Sequence, residues 1–152
     1  GDNRHYTHKE SDIKSLADAL KKIGGHTLIT PSRRTSPQLL EMLRDFLEGH
    51  SYDIWDGVGE NPYQAYLGLA DQIIVTEDSV SMASEACFTG KPVYIWETNH
   101  SSAKFREFYT DLYKRGHAKP FQWPFPQWAP KKLDEMGRVV TFIKERLSQH
   151  QW

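Results

Sequence analysis

The sequence predicts an α/β fold with a mostly parallel sheet between helices, and three observations predict it. Ile73-Ile74-Val75 and Val93-Tyr94-Ile95-Trp96 are short continuous apolar runs, the composition of strands covered on both faces. Between them is room for one helix, which starts after the polar turn Thr76-Glu77-Asp78 and stops at Gly90, where Lys91-Pro92 prevents continuation. Upstream, apolar runs alternate with amphipathic stretches in the same order. Consecutive strand-helix-strand units are the expected result.

Taken in order, Asp12 to Ile23 places Ile13, Leu16, Ala17, Leu20 and Ile23 on one helical face, with Ser11 as a cap and Gly24-Gly25 as the stop. His26 to Thr30 is the next strand, ended by Pro31. The loop Ser32-Arg33-Arg34-Thr35 leads to a helix whose first turn tolerates Pro37 and whose apolar positions are Leu39, Leu40, Leu43, Phe46 and Leu47. Tyr52 to Trp55 is a strand and Asp56-Gly57-Val58-Gly59 a turn. Glu60-Asn61-Pro62-Tyr63 then opens a helix carrying Tyr66, Leu67, Leu69 and Ala70, with Asn61 as cap and Pro62 at the first helical position. After Trp96, the loop Glu97-Thr98-Asn99-His100 precedes a helix capped by Ser101 or Ser102, with Phe105, Phe108, Leu112 and Tyr113 inward and Gly116 at its end.

From Lys119 to Pro130 prolines oppose regular structure while the rings are too apolar for a free linker, so a strap anchored by aromatic side chains is expected. Leu133 to Leu147 is a final helix with Met136, Val139, Val140, Ile143 and Leu147 inward.

The chemistry is expected at the carboxyl ends of the strands, where parallel sheets bind ligands. Ser79 or Asp78 caps the central helix. The free N–H groups of its first turn, with Ser79 and Ser81, favour an anion such as phosphate. Glu85, about one and a half turns along, is within reach of sugar hydroxyls beside that anion; alternatively the serines only cap the helix and Glu85 is a solvated surface acid. Arg33 and Arg34, with Ser32 beside them, follow a strand, and one guanidinium could fork onto phosphate oxygens; alternatively they form an exposed basic turn pairing with Asp45 or Glu41. Lys104 and Arg106 read as solvated charges.

Asp78-Ser79-Val80-Ser81-Met82-Ala83-Ser84-Glu85-Ala86-Cys87-Phe88-Thr89-Gly90-Lys91-Pro92-Val93 resembles the nucleotide-sugar segment of two-domain (GT-B) glycosyltransferases. Joined to Thr30-Pro31-Ser32-Arg33-Arg34-Thr35 and Trp55-Asp56-Gly57-Val58-Gly59-Glu60-Asn61-Pro62-Tyr63, the pattern is similar to the mitochondrial-fission "elongated mitochondria" family. The resemblance implies a three-layer Rossmann-like domain, the C-terminal half of a GT-B-like architecture. It further implies a sugar nucleotide as substrate, or another phosphate-bearing small molecule as ligand. Phosphate would lie at Ser79 and Ser81, ribose at Glu85 and diphosphate at Arg33 or Arg34, with Glu60 and Asn61 near the base.

The same resemblance implies an apolar strand and an N-terminal domain ahead of Gly1, so the domain is expected over 1–118 with its first strand upstream. The strap then covers 119–130, and the C-terminal helix, 131–152, packs on the same domain or on the N-terminal one. Transfer chemistry would belong to the longer protein, and its acceptor base to that missing half. The alternative is a protein-interaction scaffold that kept the fold without catalysis.

Composition narrows the partners. With 152 residues and a formal net charge of -1, nothing favours nucleic acid. The lone Cys87 excludes an internal disulfide and suits a reducing, cytoplasmic setting, which is compatible with peripheral association with a membrane; on a helix between Ala86 and Phe88 it reads as a buried thiol. No apolar run is long enough for a transmembrane segment, and the first residues lack a secretory signal pattern. His5 and His8, with Asp2 and Glu10, lack the further ligands a metal needs, and no metal or other cofactor is expected. No serine has a nucleophile elbow.

Overall fold

The computed structural model describes residues 9–32, 35–98 and 102–133. The chain divides between Ala70 and Asp71 into two compact units. Each contains parallel strands joined by helices, an α/β arrangement consistent with a Rossmann-like fold.

The first unit holds α1 (Glu10–Ile23), β1 (Thr27–Ile29), α2 (Pro37–Phe46), β2 (Tyr52–Ile54) and α3 (Tyr63–Leu69). β1 and β2 are parallel, with Leu28 opposite Asp53. α1 packs against α2; Ile13, Ala17 and Leu20 of α1, Leu39 and Leu43 of α2 and the C-cap residue Leu47 are all buried. Their spacing of three or four residues keeps each set on one face of its helix.

The caps differ in part from those the sequence predicts. Ser11 lies inside α1, whose N-cap is Lys9; the Asp12 carboxylate accepts from the Lys9 N–H at 3.1 Å. Ser36 caps α2, its hydroxyl accepting from the Leu39 N–H, and Pro37 occupies the first helical position as expected. Pro62 is the N-cap of α3 rather than its first residue, and no residue of this short helix is buried. Leu69 is 72% exposed and Val58 in the preceding turn 77%.

The second unit holds β3 (Ile73–Thr76), α4 (Val80–Cys87), β4 (Val93–Trp96), α5 (Ala103–Lys114) and β5 (Lys119–Pro120). The sheet order is β3-β4-β5, all parallel. α4 packs against β3 and β4, and α5 against β5. Val93, Tyr94 and Ile95 are buried, so β4 is covered on both faces, as its unbroken apolar run requires.

The strap opens with regular structure, contrary to expectation. Lys119 and Pro120 pair with Tyr94 and Ile95, and the Phe121 N–H continues the ladder to the Ile95 carbonyl at 2.9 Å. Proline is tolerated because β5 is, among the described residues, an edge strand that pairs on one side only. Beyond it the rings serve as anchors: Phe125 stacks on Tyr94 at 4.5 Å, Phe121 meets Trp96 at 4.9 Å, and the Trp128 indole N–H donates to the Tyr94 hydroxyl at 3.0 Å. Tyr94 and Trp96 alternate with Ile95, so the strap covers one face of β4. Its far end is pinned by Lys131 N–H to Gly116 C=O and Leu133 N–H to Cys87 C=O. Gly90, at φ 75°, lets the chain leave α4 beside Lys132. Of the helix expected over 133–147 only Leu133 lies among the described residues; it is buried and lies outside any helix.

Candidate functional site

The turn between β3 and α4 lies at the carboxyl end of the second unit's sheet. β3 delivers Glu77 and Asp78 there, and both are buried, at 1% and 0% exposure. Isolated buried carboxylates are costly, so such acids are tied to donors. The Glu77 carboxylate accepts from the Thr98 N–H at 2.8 Å and from the Thr98 hydroxyl at 2.7 Å. Its backbone carbonyl accepts from the Tyr109 hydroxyl at 2.5 Å. Tyr109 is itself buried, and desolvation, reinforced by the charges of Asp78 and Glu77, raises its phenol well above the usual range. Nearby, the Tyr113 hydroxyl donates to Glu97, and burial followed by that bond raises its pKa too.

Ser79 is the N-cap of α4 by position, but its hydroxyl makes no capping bond, and the residue is only 5% exposed. Its own N–H closes the turn on the Thr76 carbonyl, and its carbonyl accepts the first helical bond, from Ala83. The amides of Val80, Ser81 and Met82 belong to the first turn, which has no acceptor within its own helix. Ser81 and Glu85 are exposed and four residues apart, so they share one face of α4. Ser84, on the buried side, returns its hydroxyl to the Val80 carbonyl. Among the expected binding groups, Ser81 and Glu85 are open to solvent, whereas Asp78 and Ser79 are turned into the protein.

In the first unit, Ser32 and Thr35 are joined three ways: Thr35 N–H to Ser32 C=O, Ser32 N–H to the Thr35 hydroxyl at 3.0 Å, and hydroxyl to hydroxyl at 3.2 Å. Arg33 and Arg34, between them in sequence, lie outside the described residues, as do His5, His8, Asn99, His100 and Ser101. Ser102 caps α5, accepting from the Phe105 N–H. Asn61 is exposed and accepts from the Tyr63 N–H at 3.0 Å, so its side chain tightens the entry to α3; Glu60 is exposed beside it. The turn before them is shaped by Asp56, which accepts from the Val58 N–H, and by Gly57 and Gly59 at φ 88° and 79°.

Sequence reading did not single out Thr98 and Tyr109 as site-building residues, because polar residues on a loop and helix carry no periodic signal. Glu77 was legible only as a turn residue. A Ser-His-Asp grouping was also missed: His26 is flanked by Ser51 at 2.6 Å and Asp53 at 2.8 Å. It sits at the amino ends of β1 and β2 with its carboxylate largely exposed, so it acts as a staple between the strands rather than as a sheltered triad. Cys87 is buried, its thiol pushed up to about 12 by burial, which removes it as a nucleophile. Among the described residues no group of His, Cys, Asp and Glu is placed to hold a metal, and no helix is long and apolar enough to cross a membrane.

The fold and the loaded strand ends define an α/β protein of parallel sheets whose candidate ligand face lies at a strand-to-helix turn. The family model for mitochondrial fission ELM1 matches residues 1–147. The chain belongs to that family. It is 32% identical over 146 residues to the mitochondrial fission protein ELM1 of Arabidopsis thaliana, covering 91% of this chain and 34% of that protein. It is 31% identical over 156 residues to the uncharacterized protein RP120 of Rickettsia prowazekii (strain Madrid E), covering 95% of this chain and 44% of that one. The chain thus spans less than half the length of either relative. No solved structure matches it.

Proposed function

We propose that this chain is the sugar-nucleotide-binding part of a glycosyltransferase-like protein, with phosphate at the start of α4 and ribose at Glu85. The observation that carries the reading is the turn from β3 into α4. Its helix begins at a strand's carboxyl end without a side-chain cap from Ser79, and it presents Ser81 and Glu85 together to solvent. First-turn amides and the helix dipole favour an anion there. A carboxylate about 6 Å along the axis from Ser81 suits the hydroxyls of a sugar attached to that anion.

The Glu77–Thr98 bonds support the reading by fixing the loop after β4 against this turn, since a site gains from groups that are already positioned. The contacts expected of Ser32, Arg33, Arg34, Glu60 and Asn61 are tested by their substitution in the same assay.

Calorimetric titration of the full-length polypeptide with UDP-, GDP- and ADP-sugars tests the proposal. Saturable heat with one of them is the expected result. Absence of heat with all three overturns it in favour of a protein-interaction scaffold, a reading that the name of the Arabidopsis relative favours.

A further inference from the structure

The charges of the second unit are sorted by sheet edge. At the carboxyl edge, Glu77 and Asp78 follow β3 and Glu97 follows β4. The amino edge is basic: Lys91 leads into β4, Lys114 and Arg115 close α5, Lys119 opens β5, and Lys131 and Lys132 end the strap. No Asp or Glu lies in the segments 86–92, 114–120 and 129–133 that carry them. The nearest acids along the chain are Asp71, Glu85 and Asp111, and Asp111 is paired with Arg115 at 3.0 Å.

These segments are held side by side. The Lys131 N–H donates to the Gly116 carbonyl at 2.8 Å, the Leu133 N–H donates to the Cys87 carbonyl at 3.1 Å, and the His117 ring lies 2.7 Å from the Lys131 carbonyl. The Lys131 stem covers Gly116 and the Lys132 stem covers Gly90, where an added methyl group would sit 3.6 and 3.5 Å from them. Long basic side chains with stems packed in this way keep their charged heads in water. Lys114, Lys131 and Lys132 are exposed, and none of them is in an ion pair among the described residues.

A cation in the last turn of a helix complements the dipole, which accounts for Lys114. It does not account for Lys119, Lys131 and Lys132, which lie outside any helix. Like charges gathered at one edge repel, and an anionic partner relieves that repulsion. Its class follows from the side chains. Nucleic-acid phosphates are better matched by forked guanidinium groups, whereas clustered lysines suit a diffuse anionic surface. Trp128, half-buried with the Lys119 ammonium 5.3 Å from its ring centroid, adds an indole of the kind found at headgroup level.

We propose that the amino edge of the second unit is a docking face for a membrane surface rich in anionic phospholipid. Lys114, Lys119, Lys131 and Lys132 supply the contacts, and Lys91 and Arg115 add to the positive field. Docked this way, the unit turns its carboxyl edge, with the turn from β3 into α4, towards solution. This face is separate from the strand-to-helix turn and holds whether or not the protein binds a sugar nucleotide.

Flotation of the full-length polypeptide with vesicles tests it. Binding is expected to phosphatidylcholine vesicles containing about one-third phosphatidylserine and not to pure phosphatidylcholine. Each lysine at such a surface is worth about fivefold, so Lys131→Gln/Lys132→Gln should weaken partitioning about twenty-fivefold with Tm unchanged. Lys21→Gln/Lys22→Gln removes the same charge from α1, where both lysines are exposed, and should leave partitioning nearly intact. Raising salt from about 0.1 M to about 1 M, which shortens the screening length from about 10 Å to about 3 Å, should release the protein. Failure to float with the anionic vesicles overturns the proposal, as do equal losses in the two double variants, which would report net charge alone. Binding to duplex DNA that needs Lys131 and Lys132, with no binding to vesicles, assigns the face to nucleic acid and overturns it too.

Discussion

Glu77 and Thr98 are joined by two hydrogen bonds to a single carboxylate oxygen, one from the Thr98 backbone and one from its hydroxyl. The pair links the turn after β3 to the loop after β4, and Tyr109 adds a third tie through the Glu77 carbonyl. Because Glu77 is almost fully buried, its charge is stabilised by these donors instead of by water.

Removing the carboxylate is expected to cost more than neutralising it. Glu77→Gln keeps an acceptor oxygen and should lose about 1 kcal/mol, whereas Glu77→Ala strands both Thr98 donors and should lose about 2–4 kcal/mol. Thr98→Val removes one donor and should cost about 1 kcal/mol. Urea unfolding of the singles and of Glu77→Ala/Thr98→Val measures the coupling; strictly additive losses would show that the two residues act separately.

Strap anchoring makes a separate prediction. Tyr94→Phe leaves the Trp128 indole N–H without its hydroxyl acceptor and should lower stability by about 1 kcal/mol. Trp128→Phe removes the donor as well, so adding it to Tyr94→Phe should cost less than it does alone. Thermal unfolding of the three variants distinguishes this from ring packing by itself, which predicts no such difference.

Alkaline pH should destabilise the protein through Cys87 and Tyr109. The native thiol keeps its proton up to about 12, while the ordinary thiol value is 9.0. Between these values the unfolded chain binds fewer protons than the native one, so stability falls as pH rises, by on the order of 1 kcal/mol per pH unit for one such group. Tyr109, raised well above 10.0, adds in the same direction. Urea midpoints from pH 8 to 11 should decline less steeply in Cys87→Ala than in the wild type, and identical slopes would refute the assignment.

Ser81 and Glu85 are exposed, so Ser81→Ala and Glu85→Ala should each leave Tm almost unchanged, within about 0.5 kcal/mol. In the titration with sugar nucleotides, Glu85→Ala should weaken binding about tenfold or more, the loss of a charge-assisted bond to a hydroxyl. Unaltered affinity with unaltered Tm removes Glu85 from the site.

Much of the architecture was legible because it rests on local regularities. The apolar runs 73–75 and 93–96 lie within strands as read, Pro37 stands in the first turn of α2, and Ser102 opens α5. These follow from side-chain period and from capping chemistry, both of which act over a few residues. Family membership followed similarly, since its motifs are contiguous strings.

Pairings between distant residues were decided only in three dimensions. Nothing at Glu77 announces that Thr98, 21 residues away, will supply its donors, or that Tyr109 will seal the turn. Lys119-Pro120 reads as irregular chain until the backbone of Tyr94 and Ile95 is beside it, and Ser79 reads as a cap until its hydroxyl is seen to leave that role empty. Apart from β5, the sequence by itself determined the helices and strands of the described residues, because backbone preference and the apolar period are properties of neighbours along the chain. Tertiary structure decided which polar groups are buried and who satisfies them, because that depends on what packing brings within 3 Å.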